Sequence, residues 1–413
     1  MMDALNKKPF LSLIMIVKNE EAFLAQCLES VHDIVDEMVI VDTGSSDKTV
    51  EIAESFGAQI YHHPWQNSFS EARNYGLPFA KGEWLLQLDA DEELMREDIP
   101  LLKQYLNSSE YNGLNVIFLN KGPDNSLYKH RNARVFRNGF VHYEGIVHNL
   151  PIVKGPVAVT PVRILHHGYN LSSEQMEKKF KRSEKLLVRQ VEDHPNYTYG
   201  WANLIRNYRL QQQYEKVIIT GEKVLSQFPS MPIFDRQMIM NDLMYGYFIT
   251  NRIDEALQLG QQGLIDNPYH LDMLFIMGSC CIKKEQYAEA IQFFIKFLEV
   301  REAGTEVEGL EALIIDTYGF QARAWNNIGS CFKDLGDLNQ AQIAYHKAIE
   351  MDGNTLFQKN LASIYIQMGQ LDEAMMVLSR AHQLDPADQS LIYFIERIKD
   401  YMEASKQDAT AVL

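Results

Sequence analysis

The sequence is poor in several things, and each shortage removes a class of explanation. Four cysteines in 413 residues, Cys27, Cys280, Cys281 and Cys331, contain no Cys-x-x-Cys pair, so neither a disulfide framework nor a thiolate zinc site is encoded. Such usage fits buried reduced thiols and predicts a cytoplasmic setting. No run approaches the roughly 18 apolar residues of a membrane-crossing helix. Lys7-Lys8 ahead of the apolar residues 10–17 imitates a short signal peptide, but the run ends in Lys18-Asn19-Glu20-Glu21 without a small-residue cleavage site and reads instead as a first strand. Positive charge is scarce too. With 39 Lys and Arg against 55 Asp and Glu, the net charge is −16, the wrong sign for a nonspecific grip on nucleic acid or an anionic membrane. Any phosphate must be caught locally, by a few cations, a metal or backbone amides. The length suggests about two or three domains, and 46% hydrophobic with 23% charged residues is the balance of a soluble globular protein.

What is present centres on Glu83-Trp-Leu-Leu-Gln-Leu-Asp-Ala-Asp-Glu-Glu-Leu94. An apolar run stops at Asp89, Asp91 and Glu92, as a buried parallel strand does when it delivers carboxylates to the carboxyl edge of an open sheet, where ligands collect. Two aspartates one residue apart share a side of an extended segment and could face one hard cation, Mg²⁺ or Mn²⁺, whose shell substrate phosphates would complete. The bland alternative is a polar turn, where aspartates bond their own backbone.

The flanking segments alternate in type. Residues 11–17 read as a strand and residues 20–31 carry apolar side chains at helical spacing. A second strand at 38–41 ends in Asp42-Thr-Gly-Ser-Ser-Asp47, with a helix from about Val50. That is the grammar of a parallel sheet. Asp42 stands where such sheets present a carboxylate to a nucleotide. A third strand at 59–61 leads to His62-His63, which point to opposite faces if extended and so make a poor metal pair. Arg73 could make bidentate contacts to a diphosphate. Another strand is expected at 116–119. Beyond it, a basic cluster containing Arg134 precedes Phe140-Val-His-Tyr-Glu-Gly-Ile-Val-His148. Glu144 or His148 could take a proton from an acceptor there, although an ordinary half-exposed hairpin explains the same alternation.

Ile16-Val-Lys-Asn-Glu20, Val39-Ile-Val-Asp-Thr-Gly-Ser-Ser-Asp47, Ala72-Arg-Asn74 and Leu88-Asp-Ala-Asp91 occur in the order and approximate spacing of the family 2 glycosyltransferases of GT-A fold, which the first 170 residues therefore resemble. The resemblance implies a Rossmann-like, mostly parallel α/β sheet. It implies nucleotide-sugar contacts at Val17, Asn19, Glu20, Asp42 and Asp89, to which the residues themselves add Arg73 and Arg134 as cations that could counter diphosphate charge. It also implies a divalent cation (Mn²⁺ or Mg²⁺) on Asp91 and Asp89 with a late histidine, His166, returning to it. Thr43-Gly44 stands where many members have Asp-Gly, which loosens the expected nucleotide identity. Gly145-Ile-Val-His148 and His166-His-Gly-Tyr-Asn170 are most similar to peptide-modifying members, the glycocin-type S-glycosyltransferases.

From about residue 172 the helical period takes over. Ala256 to Ala290 is 34 residues and Ala341 to Ala374 is 33. Pro229, Pro268, Gly353 and Pro386 each follow Val217 or an alanine by 12. This resembles the tetratricopeptide repeat, with about five units at 197–413, a linker helix at 171–196 and an insertion near 303–318. The expected architecture is α/β plus all-α, a GT-A domain followed by a TPR-like α-solenoid. The expected function is a metal-dependent, inverting transferase moving a sugar from a nucleoside diphosphate, in the first instance UDP, to a peptide or protein docked on the repeats, with Glu144, His148 and Asp91 as catalytic candidates. Nucleic acid is not an expected partner, and a homodimer stays open. Two rivals are a glycan or lipid-linked acceptor in surface polysaccharide synthesis, and a non-catalytic TPR scaffold.

Overall fold

The computed structural model describes residues 9–121, 127–147, 149–167, 173–304, 307, 310 and 313–411. It comprises two compact units, one running to Gly246 and including the segment 308–315, the other made of residues 247–307 and the chain from Asp316 onward. Among the described residues no helix is long and apolar enough to cross a membrane, and all four cysteines are buried and free.

The first unit opens with β1 (Leu11–Val17), α1 (Leu24–Glu29), β2 (Glu37–Asp42), α2 (Thr49–Ser55), β3 (Gln59–His62), α3 (Phe69–Gly76), β4 (Trp84–Gln87), β5 (Glu92–Leu94), α4 (Ile99–Leu106) and β6 (Gly113–Lys121). There follow β7 (Leu127–Arg137), β8 (Val141–Glu144), β9 (Leu150–Val153) and β10 (Val157–His166). One eight-stranded sheet has the order β3-β2-β1-β4-β7-β6-β10-β5, and β8 pairs with β9 alone. β3, β2, β1 and β4 are mutually parallel, as are β6 and β10, while β7 and β5 run antiparallel to their neighbours. The parallel strands read as continuous apolar runs because both faces are covered. On one face Leu13, Met15, Leu86 and Val116 pack with Leu24, Leu28 and Leu102 of the helices. On the other, Ile14, Val39, Leu85 and Phe136 meet Val141 and Tyr143 of the β8–β9 hairpin.

Parallel pairing puts the carboxyl ends of β2, β1 and β4 at one edge, with Val17 level with Asp42. The acidic residues emerge there, but not from extended chain. β4 stops at Gln87, and Asp89 to Asp91 form a turn in which the Glu92 amide donates to the Asp89 carbonyl (3.0 Å). The expectation that strand alternation would put both aspartates on one side is thus corrected, since a turn aims them separately.

Helices α5 (Ser173–Asp193), α6 (Thr198–Leu210), α7 (Tyr214–Gln227) and most of α8 (Ile233–Ile249) belong to the first unit. The second contains α9 (Ile253–Asp266), α10 (Leu271–Lys283), α11 (Tyr287–Ala303), α12 (Gln321–Asp334), α13 (Leu338–Met351), α14 (Thr355–Gln367), α15 (Leu371–Leu384) and α16 (Gln389–Ala411). Val217, Ala256, Ala290, Ala341 and Ala374 each stand fourth in the second helix of a pair and are wholly buried. Small residues there let the paired helices approach. Where the position holds the larger Val217, the facing residue is Gly246, whose missing Cβ would stand 3.2 Å from a valine methyl. Pro229, Pro268, Gly353 and Pro386 each lie two residues past a helix end, as residues that stop helices should.

Two glycines fill an equivalent role within their pairs. A Cβ on Gly278 would sit 2.8 Å from the Phe294 ring, and one on Gly329 would sit 2.8 Å from Tyr345. Each ring lies 16 residues beyond its glycine and is almost fully buried. Gly329→Ala therefore overpacks α12 against α13 and should destabilise the second unit by about 1–3 kcal/mol. Thermal unfolding checks this: an unchanged melting temperature would mean that Tyr345 has room to move.

Candidate active site

At the carboxyl edge of β4 four side chains from four elements lock together. Arg73 of α3 donates to Asp89 Oδ1 (2.6 Å), and Arg134 of β7 pairs with Glu92 Oε1 of β5 (2.9 Å) and lies 3.7 Å from Asp89 Oδ2. Glu92 also accepts from the Asp89 amide (2.9 Å). Both guanidiniums stack on aromatic rings, Arg73 over Tyr143 and Arg134 over Phe118. The Tyr143 hydroxyl and an Arg134 nitrogen reach Gln87 Oε1 at 3.3 and 3.5 Å. Burial alone would raise the Asp89 pKa, yet the two arginines outweigh it and hold Asp89 down at about 2. For Glu92, burial and the Asp89 charge prevail over Arg134 and leave its pKa raised.

Asp91 faces another way. Its Oδ2 lies 3.2 Å from His166 Nε2, and His166 Nδ1 is 2.8 Å from Asn120 Oδ1. Burial lowers the His166 pKa, but its hydrogen bond and charge interaction with Asp91, together with Glu92 and Asp89, turn the net shift upward. Glu20, after β1, feels the same field. Burial and the charges of Asp91, Asp89 and Asp47 push it up to about 7.

Further along this edge, Lys18, Asp42, Thr43, Gly44, His62, His63, Pro64 and Trp65 line an open cleft of about 410 Å³. Asp42 is buried, accepts from the Gly44 and Ser45 amides and lies 3.3 Å from His62 Nδ1. Asp89 and Asp91 do not line this cleft. The loops after β1 and β2 are stitched together. The Val17 carbonyl accepts from the Thr43 amide and hydroxyl. Asn19, in the left-handed region at φ 57°, accepts from the Ser46 amide at 2.7 Å.

The sequence-derived candidates therefore separate. Arg73, Arg134, Asp89, Asp91 and His166 converge, Glu20 borders them and Asp42 belongs to the cleft, while Val17 and Asn19 shape the loop through their own bonds. At Asp89, an expected metal ligand, Arg73 donates to Oδ1 and Arg134 lies 3.7 Å from Oδ2. Glu144 is more than half exposed and pairs with His142 Nε2 at 2.9 Å. Successive strand residues face opposite ways, so the strand that buries Tyr143 turns Glu144 outward. His148 lies outside the described residues. Sequence reading gave no role to Gln87 or Tyr143, and named Glu92 and Asn74 without assigning them a partner. Asn74 clamps the Tyr143 backbone in both directions, donating to its carbonyl (2.9 Å) and accepting from its amide (2.8 Å). The Ala72-Arg-Asn74 motif was the available signal, read only for its arginine. His62 and His63 line the cleft, and His63 Nε2 lies 2.7 Å from Glu71.

Among the described residues no three His, Cys, Asp or Glu side chains surround a common cation position. Asp91 and His166 nevertheless fit two adjacent ligands. Donors around a hard cation at about 2.1 Å stand roughly 3 Å apart, close to the observed 3.2 Å. Asn120 is placed to orient the imidazole from behind, as outer partners of metal-binding histidines do.

Residues 12–166 match the description Glycosyl transferase family 2. The chain carries a family 2 glycosyltransferase domain. Tetratricopeptide repeats match at 271–303, 322–354 and 360–388. A TPR repeat-containing protein of Synechococcus elongatus is 35% identical over 47% of this chain and 51% of its own length. The SPbeta prophage-derived glycosyltransferase SunS of Bacillus subtilis is 24% identical over 68% of this chain and 67% of its own. An uncharacterized glycosyltransferase of Rickettsia bellii is 43% identical over 24% and 32%. The chain thus spans about half the length of the first of these relatives, and a third of the last.

The transferase domain carries a pH signature. A Glu20 carboxyl at about 7 when folded, against 4.5 ordinarily, keeps a proton that the unfolded chain gives up. Stability therefore falls as pH rises from about 4.5 through 7. Glu20→Gln removes this dependence. Without divalent cation its melting temperature should exceed the parent's at pH 8, and the gap should close near pH 4. A gap independent of pH would contradict the placement of Glu20 beside Asp91.

Proposed function

We propose that this protein transfers a sugar, with inversion, from a nucleoside diphosphate, UDP in the first instance, to a peptide or protein acceptor that the helical repeats help to hold. The carrying observation is the acidic turn: Asp89 fixed by Arg73 and Arg134, with Asp91 beside His166, at the sheet edge that also holds Asp42 and its cleft. The family 2 match and the repeats support the class of enzyme and of partner, as does the glycosyltransferase named among the relatives.

In this reading the nucleoside enters the cleft at Asp42 and its diphosphate runs toward Asp91. A divalent cation held by Asp91 and His166 would neutralise charge growing on the departing diphosphate. Arg73 and Arg134 hold Asp89 so that the turn keeps its shape. Glu144, on the hairpin rim, takes the proton from the acceptor oxygen or sulfur as it attacks the anomeric carbon.

Release of nucleoside diphosphate from sugar nucleotides in the presence of Mn²⁺ tests the core of this reading. The parent protein should hydrolyse at least one such donor slowly. Asp91→Ala should lower that rate by about a hundredfold or more. Glu144→Gln should leave donor binding alone and slow transfer by about 10²–10⁴. Undiminished turnover in Asp91→Ala would remove the cation from the mechanism.

A further inference from the structure

Residues 145–147, which follow β8, are built into the helices. The side chain of Gln190, on α5, is buried, and its Oε1 accepts from the Ile146 amide (3.0 Å) and, at the outer limit, from the Val147 amide (3.5 Å). Val147 belongs not to the sheet core but to the apolar cluster of the helices, with Leu187, Val191, Ala202 and Ile205. Gly145 stands at φ +91°, a conformation costly to other residues, and the Tyr197 hydroxyl lies 3.5 Å from where its Cβ would be. From the opposite side, the first amide of α3, Phe69, donates to the Ile146 carbonyl (2.9 Å). The same helix supplies Arg73 to Asp89 and Asn74 to Tyr143.

The loop is therefore clamped between α3, which sets the acidic turn, and α5, which lies past the transferase domain. An amide pair pulled by one buried acceptor fixes the direction in which the strand leaves Glu144. A reacting group misplaced by about 1 Å can cost on the order of a hundredfold in rate.

We propose that Gln190 is a positioning residue for sugar transfer: through the Ile146 and Val147 amides it sets the acceptor-side loop, so that α5 completes the active site as well as leading into the repeats. This rests on the transferase reading above. A bare docking arm would tolerate a change at Gln190 with no effect on turnover of a small donor.

The test compares the full-length parent with Gln190→Leu, which removes the acceptor, and Gln190→Glu, which keeps an oxygen at the same reach. Gln190→Asn, which retracts the amide by one methylene, replaces the leucine variant should that one not fold. Amide exchange is read at Ile146 and at Tyr143, and kcat and KM are read with a sugar nucleotide and Mn²⁺. The leucine or asparagine variant should speed exchange at Ile146 by about tenfold while Tyr143, held by Asn74, keeps its protection. Its kcat should drop by about tenfold with donor KM within twofold, and Gln190→Glu should restore both. Unchanged exchange at Ile146, an unchanged kcat, or a donor KM that rises while kcat holds overturns the proposal. A parent protein inert toward every sugar nucleotide would instead sink the transferase reading, and the exchange result would still decide whether Gln190 sets the loop.

Discussion

The first unit depends on one desolvated charge group. Glu92 is almost fully buried and Asp89 half-buried, and carboxylates taken from water without partners cost several kcal/mol each. Two arginines answer them, each lying over an aromatic ring, and neither can leave without stranding a negative charge. Because the four groups come from α3, the turn after β4, β5 and β7, their pairing fixes where the carboxyl edge of β4 stands relative to the strands beyond it. It also fixes α3, and α3 in turn grips the hairpin through Asn74 and Phe69. An electrostatic necessity in the core is thereby transmitted to the rim, where the acceptor chemistry is proposed to occur.

Much of this was legible in the sequence, for reasons that separate local from distant information. Parallel strands show themselves as short apolar runs because both faces are covered, and Asp42 and Asp89 announce themselves by ending such runs. The repeats were equally plain, since every buried alanine answers to the same local geometry. What could not be read were bonds whose partners lie far apart in the chain: Arg134 on Glu92 across 42 residues, Asn74 on Tyr143 across 69, Gln190 on Ile146 across 44. Glu92 looked like a third acid in a polar turn, and nothing in its neighbourhood shows that an arginine will bury it. Glu144 shows the converse. Its residue type suits a base, but only the fold shows that the adjacent Tyr143 packs onto the acidic cluster while Glu144 stands at the exposed rim.

The sign of the local field bears on the chemistry. The two arginine charges nearest the turn are already committed to Asp89 and Glu92, and burial together with the charges of Asp91, Asp89 and Asp47 pushes the Glu20 carboxyl up to about 7. A bare diphosphate would be repelled from such an edge, on a chain that is acidic throughout. Asp91 and His166, two donors at cis-ligand separation with Asn120 behind the ring, are where a divalent cation would reverse that sign. On the proposed reading, the site would recruit its phosphate only after a cation had changed the charge that phosphate meets.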